Sequence, residues 1–136
     1  EHIDDDLEVL KSMHALLNDG GFLLITVPAF PALWGTHDVV THHKRRYVQQ
    51  SLRAVVEQAG FTPEYIAYFN CFLFPVAYVR RKIARLTGAA DANDMEIPPK
   101  FVNGILRKIF ECEKYLLPWM KLPFGLSLIC VARKPG

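Results

Sequence analysis

Long hydrophobic runs, internal repeats and low-complexity tracts are all missing from this 136-residue sequence. No segment stays apolar for long enough to cross a bilayer, and the acidic, polar first residues do not resemble a signal peptide. These absences argue against a membrane-spanning or secreted protein and against a repeat architecture. A chain of this length builds one domain with its own core, and we expect a cytoplasmic protein.

Cysteine is scarce, and no strong charge imbalance is present. The three cysteines, Cys71, Cys112 and Cys130, lie far apart and form no C-x-x-C pair. This pattern predicts reduced thiols in the core rather than a disulfide framework or a zinc site. The formal net charge is +2 and 51% of the residues are hydrophobic, which is typical of a globular protein and gives no argument for nucleic-acid binding.

Helical and strand patterns alternate along the first half of the chain. Residues 5–17 have a capping box followed by apolar residues at helical spacing, which predicts an amphipathic helix that ends before Gly20. Residues 22–27, FLLITV, are continuously apolar and predict a strand covered on both faces, as in a parallel sheet. A second helix over 49–60 and a second strand over 61–70 follow, so the pattern predicts an α/β domain.

The last third of the chain predicts two further helices and a final strand. The first helix begins near Pro75, which suits a first helical turn, and a polar loop over 88–99 separates it from a helix that starts at Lys100. Residues 126–132, LSLICVA, predict the last strand.

The segment WGTHDVVTHHKRRY, residues 34–47, concentrates the chemistry of the sequence. It contains three of the five histidines, one aspartate, three consecutive cations and two aromatic residues. It follows the apolar strand at 22–27, and open α/β sheets bind ligands beyond the carboxyl ends of their strands. The topology therefore predicts that this segment lies at the rim of a pocket.

Four interpretations of this segment stay open. As a metal site, its histidines and aspartate are suitable ligands, but their spacing matches no known motif and the adjacent cations would repel a metal. As a nucleic-acid patch, its cations are too local. As a pocket wall, Arg45 or Arg46 binds a carboxylate or phosphate through paired donors, and a histidine serves as a base. As a solvated loop, it is anchored by Trp34 and Tyr47. We favour the pocket wall and expect neither metal nor nucleic acid.

Several motifs, taken in order, resemble the C-terminal half of the class I S-adenosylmethionine-dependent methyltransferases. EHIDDD at 1–6 is similar to the segment after the family's fourth strand, and LLNDGGFLLITVP at 16–28 is similar to its glycine turn and fifth strand. Asn18-Asp19 replaces the usual Lys-Pro of that turn. LWGTHDVVTHHKRRY, LRAVVEQAGF, YFNCFLFPVAYVRR and LPFGLSLICVARKP resemble one bacterial subgroup, so the resemblance covers essentially the whole chain.

The resemblance implies a fold and a cofactor. Residues 1–136 would be the C-terminal part of a Rossmann-like methyltransferase domain, with strands five, six and seven and their flanking helices. Residues 71–122 would be a two-helix insertion or lid before the last strand. The family's glycine-rich turn and acidic cofactor residue are missing, because Gly20-Gly21 precedes a strand instead of following one. We therefore expect S-adenosyl-L-methionine as the cofactor and weak binding of it by this chain alone.

The resemblance also implies roles for individual residues in methyl transfer. Glu1 and His2 would lie near the reactive end of the cofactor, and His2 would also face the substrate. His37 is our first choice for a catalytic base and His43 is the second. The expected substrate contacts are Trp34, Asp38, Arg45, Arg46 and Tyr47.

The expected reaction is methyl transfer to a small-molecule or lipid-linked acceptor. An alternative function is a non-catalytic module that binds a membrane surface or a partner protein through the basic amphipathic helix. Residues 72–86 combine apolar residues with Arg80, Arg81, Lys82 and Arg85, and such helices can lie on anionic membranes. The other interpretation of this helix is a lid whose apolar face packs on the sheet.

Overall fold

Helices and strands alternate in a computed structural model of the chain, which describes residues 2–87, 100–117 and 119–136. The predicted polar loop at 88–99 and the predicted cofactor contact Glu1 lie outside the described residues. The elements in chain order are α1 (Asp6–Leu16), β1 (Phe22–Pro28), a 3₁₀ turn (Pro31–Leu33), α2 (Thr36–Val40), α3 (Gln49–Gln58), β2 (Thr62–Phe69), α4 (Phe74–Thr87), α5 (Lys100–Leu116) and β3 (Ser127–Arg133).

The described strands form one antiparallel sheet in the order β1-β3-β2, with β3 antiparallel to both neighbours. The prediction of an α/β domain is confirmed at this coarse level. The prediction that β1 is an interior strand of a parallel sheet is wrong for the described residues. There β1 pairs only with β3, and Phe22 and Leu24 are more than half exposed. A continuous apolar run fixes neither the direction nor the number of neighbouring strands, which explains the error.

The core lies between the sheet and the helices α1 and α3. Leu52 and Val56 of α3 are fully buried against β2, as their spacing predicted, and Leu7 and Leu10 of α1 pack at the edge of the same cluster. Leu128, Cys130 and Ala132 of the central strand β3 are 0% exposed. Burying each large aliphatic side chain contributes roughly 1.5–3 kcal/mol. This cluster therefore stabilises the edge of the sheet from which residues 34–47 emerge.

Local signals set the ends of the first helices. The Asp5 side chain accepts a hydrogen bond of 2.9 Å from the Glu8 amide at the start of α1. Gly20 (φ +77°) and Gly60 (φ +93°) follow α1 and α3 in the left-handed region, where glycine has no steric penalty. These two turns confirm the predicted helix ends.

The amino-terminal end of α4 packs against aromatic residues that lie next to the strand ends. Phe74 lies against the rings of Phe30, Tyr78 and Phe124 at centroid distances of 5.4, 6.0 and 5.3 Å. Further along the helix, the side chains of Ile83 and Leu86 are exposed. No helix within the described ranges has the length and hydrophobicity to cross a membrane.

The cysteines only partly match the prediction of core thiols. Cys71 and Cys130 are buried, whereas Cys112 is exposed on α5, so the prediction is wrong for Cys112. Burial raises the pKa of the Cys130 thiol to about 11. Burial, together with the nearby carboxylate of Glu113, also raises the pKa of Cys71. The two buried thiols therefore stay protonated and unreactive near neutral pH.

Candidate functional site

The strands β1 and β2 end at the same edge of the sheet, where β3 begins. Pro28 at the end of β1 and Phe69 at the end of β2 both pair with Ser127, the first residue of β3. Residues 29–48 leave the sheet at this edge. Although β1 is not part of a parallel sheet, its carboxyl end still points the same way as that of β2. Residues 34–47 consequently lie over the edge to which the sequence assigned them.

A cleft of about 370 Å³ opens at this edge. Its volume falls within the usual range for small-molecule sites. The walls come from the ends of the three strands, from the segment 34–47 and from α4. Its polar side chains are those of Thr26, His37, His43, Arg46, Asn70 and Ser127. Three of the predicted site residues, His37, His43 and Arg46, are thus brought together around one cleft.

Asp38 is the centre of the hydrogen-bond network behind the cleft. Its side chain is 0% exposed and accepts hydrogen bonds from Arg46 Nε (2.8 Å), Arg46 Nη2 (3.0 Å) and the Gly35 amide (2.9 Å). Its Oδ1 also lies 2.9 Å from Nδ1 of His43, whose backbone amide donates to the Asp38 carbonyl. The short helix α2, which the sequence did not predict, holds Asp38 in this position.

The charge of Asp38 follows from two opposing effects. Burial raises the pKa of its carboxyl group, but the hydrogen bonds from Arg46, His43 and the Gly35 amide, with the positive charge of Arg46, lower it by more. The net pKa lies below the ordinary value of 3.8. Asp38 is therefore a carboxylate at neutral pH and can accept from both of its side-chain partners.

Arg46 is buried and already paired. Its side chain is 5% exposed, its forked donors are directed at Asp38, and Nη1 donates to the Ala29 carbonyl at 3.0 Å. The paired donors that the sequence assigned to an anionic substrate are thus used inside the protein. Arg46 lines the cleft as one half of a buried ion pair.

Two other histidine rings lie close to that of His43. The ring of His43 lies 4.8 Å from that of His2 and 6.1 Å from that of His37, measured between centroids. Because the Asp38 carboxylate accepts at Nδ1, the His43 proton belongs on Nδ1 and the lone pair on Nε2. Asp38 thus holds His43 in the orientation and tautomer of a base whose free nitrogen is Nε2.

Two buried polar atoms next to the cleft have no hydrogen-bond partner among the described residues: His37 Nδ1 and Asn70 Oδ1. Unsatisfied buried polar atoms are uncommon in proteins because each costs free energy. His37 lies on the segment 34–47, and Asn70 follows β2 with a left-handed φ of 60°. Both residues line the cleft, and their unpaired atoms mark it as a place where a polar ligand would fit.

The remaining predicted substrate contacts, Arg45, Tyr47 and Trp34, are not among the described residues that line the cleft. Arg45 pairs with Asp6 at 3.1 Å and donates to the Asp4 carbonyl. The buried Tyr47 donates its hydroxyl proton to Asp6 at 2.6 Å. Trp34 is half-buried at the end of the 3₁₀ turn. Arg45 and Tyr47 therefore tie the functional segment to the residues around the start of α1.

Two residues at the site were missed by the sequence analysis. Asn70 could have been found, because a polar residue directly after a strand end is a site signal in α/β folds. Glu113 of α5 is 2% exposed and accepts from the amides of Asn70 (2.5 Å) and Phe72 (2.8 Å). No sequence signal marks it, because its partners are backbone groups about forty residues earlier in the chain.

The described residues offer no metal cluster and only part of a cofactor site. Within residues 2–87, 100–117 and 119–136, no three histidine, cysteine or acidic side chains converge as metal ligands would. Gly20 and Gly21 precede β1, so they do not form a glycine turn after a strand. Of the two residues assigned to the cofactor, His2 contacts His43.

Comparisons with known proteins find similarity to solved structures alone. No protein-family model matches this sequence, and no curated protein matches it. A SAM-dependent methyltransferase from Archaeoglobus fulgidus superposes with a TM-score of 0.48 at 17% identity, covering 98% of this chain and 55% of that chain. Phosphoethanolamine N-methyltransferase 2 from Haemonchus contortus, solved in complex with S-adenosyl-L-methionine, has a TM-score of 0.48 at 14% identity. It covers 99% of this chain and 31% of that chain.

Both solved structures are S-adenosylmethionine-dependent methyltransferases. This chain spans 55% of the length of the first and 31% of the length of the second.

Proposed function

We propose that this chain forms the acceptor-binding side of an S-adenosyl-L-methionine-dependent methyltransferase. The observation that carries the proposal is the Asp38–His43 pair, with a distance of 2.9 Å, at a cleft beyond the ends of β1 and β2. A cleft in this position is where open α/β sheets bind ligands. The motifs between residues 1 and 136 that resemble the family indicate the class of reaction. The cleft provides a candidate base for that reaction.

The donor fits the chain only in part. S-adenosyl-L-methionine supplies an electrophilic methyl group on a sulfonium, and the chain's own residues have to align the acceptor and accept its proton. His2, which the resemblance assigns to the donor's reactive end, contacts the ring of His43. This contact supports a reaction centre beside His43. The described residues include no turn that would hold the nucleoside of the donor.

His43 is the better candidate for the base, ahead of His37, the first choice from the sequence. The carboxylate of Asp38 fixes the ring of His43 and leaves Nε2 to accept a proton. His37 has no such partner at Nδ1. His37 fits the role of a substrate contact instead, and Arg46 fits the role of holding Asp38 in its charged form.

Transfer of a labelled methyl group tests the proposal. The full-length gene product, S-adenosyl-L-methionine with a ¹⁴C-labelled methyl group and a metabolite extract of the source cells should give a labelled product. His43→Gln keeps a hydrogen-bonding side chain but removes the base, and the initial rate should fall at least about a hundredfold. Neighbouring His42 is exposed and has a left-handed φ of 57°, which asparagine tolerates, so His42→Asn is a matched control.

The two variants separate a catalytic from a structural role. We expect His42→Asn to keep the wild-type rate within about twofold, because this variant still has His43 as its general base. No labelled product with the wild-type protein would refute the proposed function. A normal rate with His43→Gln would refute the assignment of the base.

The exposed face of α4 favours a second candidate, a module that binds an anionic membrane surface. This helix carries four cations and no acidic residue, and Val79, Ile83 and Leu86 are exposed. A helix of this composition can bind anionic lipids through its cations and its apolar side chains together. The full-length protein should then sediment with phosphatidylglycerol vesicles but not with phosphatidylcholine vesicles. The triple variant Arg80→Ala, Arg81→Ala, Lys82→Ala should lose this binding, and no binding by the wild type would exclude the candidate.

A further inference from the structure

We propose that the acceptor in the cleft is an uncharged molecule with a hydroxyl group, and that this hydroxyl oxygen receives the methyl group. This inference rests on the proposed function and names its substrate class. It departs from the expectation that cations of the segment 34–47 bind an anionic acceptor.

The charged side chains around the cleft are paired with other side chains of the protein. The one cationic side chain known to line it, Arg46, has its forked donors on the buried carboxylate of Asp38. Arg45 and Lys44, the next cations, pair with Asp6 and Asp4. A carboxylate or phosphate in the cleft would have to compete with Asp38 for Arg46. An ammonium group would meet no carboxylate among the described lining residues. The cleft therefore offers no free counter-charge to an anionic or a cationic ligand, so a neutral ligand fits best.

The polar groups of the cleft match a hydroxyl. Asn70 Oδ1 is an acceptor in need of a donor, and His37 Nδ1 can donate or accept according to its tautomer. A hydroxyl group donates one hydrogen bond and accepts others, so a hydroxylated molecule can satisfy both kinds of atom. The remaining polar side chains of the cleft, Thr26 and Ser127, are hydroxyls themselves and suit the same neutral partner.

The orientation of His43 determines where the proton of the acceptor hydroxyl goes. A neutral hydroxyl is a weak nucleophile and is activated when its proton is removed. The oxygen lone pair forms a bond to the methyl carbon, the carbon–sulfur bond breaks, and its electron pair stays on the sulfur as a neutral thioether. The hydroxyl proton moves to Nε2 of His43, and the resulting imidazolium faces the negative carboxylate of Asp38 at Nδ1. His43 then returns the proton to water.

The chemical nature of the labelled product tests this inference. With the full-length protein, ¹⁴C-methyl donor and metabolite extract, we expect a product that resists mild alkali, does not bind a cation exchanger and releases methyl iodide in hot hydriodic acid. Those properties together identify a methyl ether. Release of methanol by mild alkali would indicate a carboxylate acceptor, retention on the cation exchanger an amine, and resistance to hydriodic acid a carbon acceptor. Each of these three results would overturn the inference and leave the proposed function standing.

A substitution on the cleft wall provides a second test. Asn70→Ala should raise the KM for the isolated acceptor about tenfold, because a hydrogen bond to the hydroxyl is lost, and should leave the KM for S-adenosyl-L-methionine unchanged. Asn103→Ala makes the same change at an exposed position of α5 and should alter neither value. An unchanged acceptor KM in Asn70→Ala would contradict the inference. Absence of any labelled product would remove the proposed function and this inference with it.

Discussion

Asp38 links the charge, the geometry and the chemistry of the site. It is fully buried, and its two carboxylate oxygens are divided among Arg46, His43 and the amide of Gly35. Buried ion pairs contribute little net stability compared with apolar packing, but removing one partner leaves an uncompensated charge in the interior. The pair is therefore better explained as a device that positions His43 than as a source of stability.

Asp38→Asn should destabilise the protein by about 3–5 kcal/mol, because the buried guanidinium of Arg46 loses its counter-charge. The measurement is urea denaturation of the full-length protein at pH 7. Asp19→Asn removes an exposed carboxylate 3.3 Å from Lys134 and should cause only a small loss. Equal effects of the two substitutions would contradict the role of Asp38.

The lowered pKa of Asp38 also sets a direction for the pH dependence of stability. A carboxyl group whose pKa is depressed in the folded protein stabilises the fold above its ordinary pKa of 3.8. That contribution is lost as the pH falls through the folded-state pKa. The wild-type free energy of unfolding should therefore fall more steeply below pH 4 than that of Asp38→Asn. Parallel curves would show that folding does not change the pKa of Asp38, which would contradict the lowered pKa.

For individual residues, the sequence predicted which segment forms the site but did not predict the role of each residue in it. The cluster of histidines and cations after an apolar strand was enough to predict a rim at 34–47. It could not predict that Arg46 would turn inward, because a basic side chain near a cleft is equally able to bind a substrate or a buried carboxylate. Which of these occurs depends on the three-dimensional position of Asp38, and that position depends on α2.

Among the elements, α5 contacts the site through the buried side chain of Glu113 and through Phe110, whose ring centroid lies 6.4 Å from that of Phe69. Glu113 accepts hydrogen bonds from the amides of Asn70 and Phe72, which form the turn after β2. A carboxylate that accepts hydrogen bonds from backbone amides replaces the hydrogen bonds to water that those amides lose on burial. The turn at Asn70, and with it one wall of the cleft, therefore depends on the docking of α5.

Glu113→Gln should reduce the free energy of unfolding by about 1.5–3 kcal/mol, because hydrogen bonds to a charged acceptor are the strong ones. It should also lower the rate of methyl transfer through the position of Asn70. Glu111→Gln, on the exposed side of the same helix next to Arg107, should change neither property appreciably. Urea denaturation and initial rates measure both. If Glu113→Gln behaved like Glu111→Gln, the Glu113 carboxylate would have no part in forming the cleft.

The sequence predicted most of the helices and strands, with ends within a few residues, because glycines and prolines mark those ends. Pro28 ends β1, Gly60 follows α3, and Pro75 lies in the first turn of α4. Two properties could not be predicted. An apolar run such as 22–27 carries no information about strand direction, and the apolar residues of α4 do not reveal whether they are covered.

In the whole molecule, the cleft is assembled from parts that are far apart in the sequence. Thr26 lies near the end of β1, Asn70 after β2 and Ser127 at the start of β3. The strand order β1-β3-β2 brings these three positions to one edge of the sheet, although more than fifty residues separate Asn70 from Ser127 along the chain. The site therefore exists only when the antiparallel strand β3 is inserted between the other two.

The central claim is that His43, held by Asp38 at this edge, accepts a proton during methyl transfer. Its most direct test is the pH dependence of kcat/KM for the full-length wild type and for His43→Gln. The wild type should rise from acidic pH to a plateau, which is the profile of a reaction that depends on a general base. The variant should be slower and should keep rising about tenfold per pH unit, because hydroxide replaces the missing base. Two profiles of the same shape would contradict the claim.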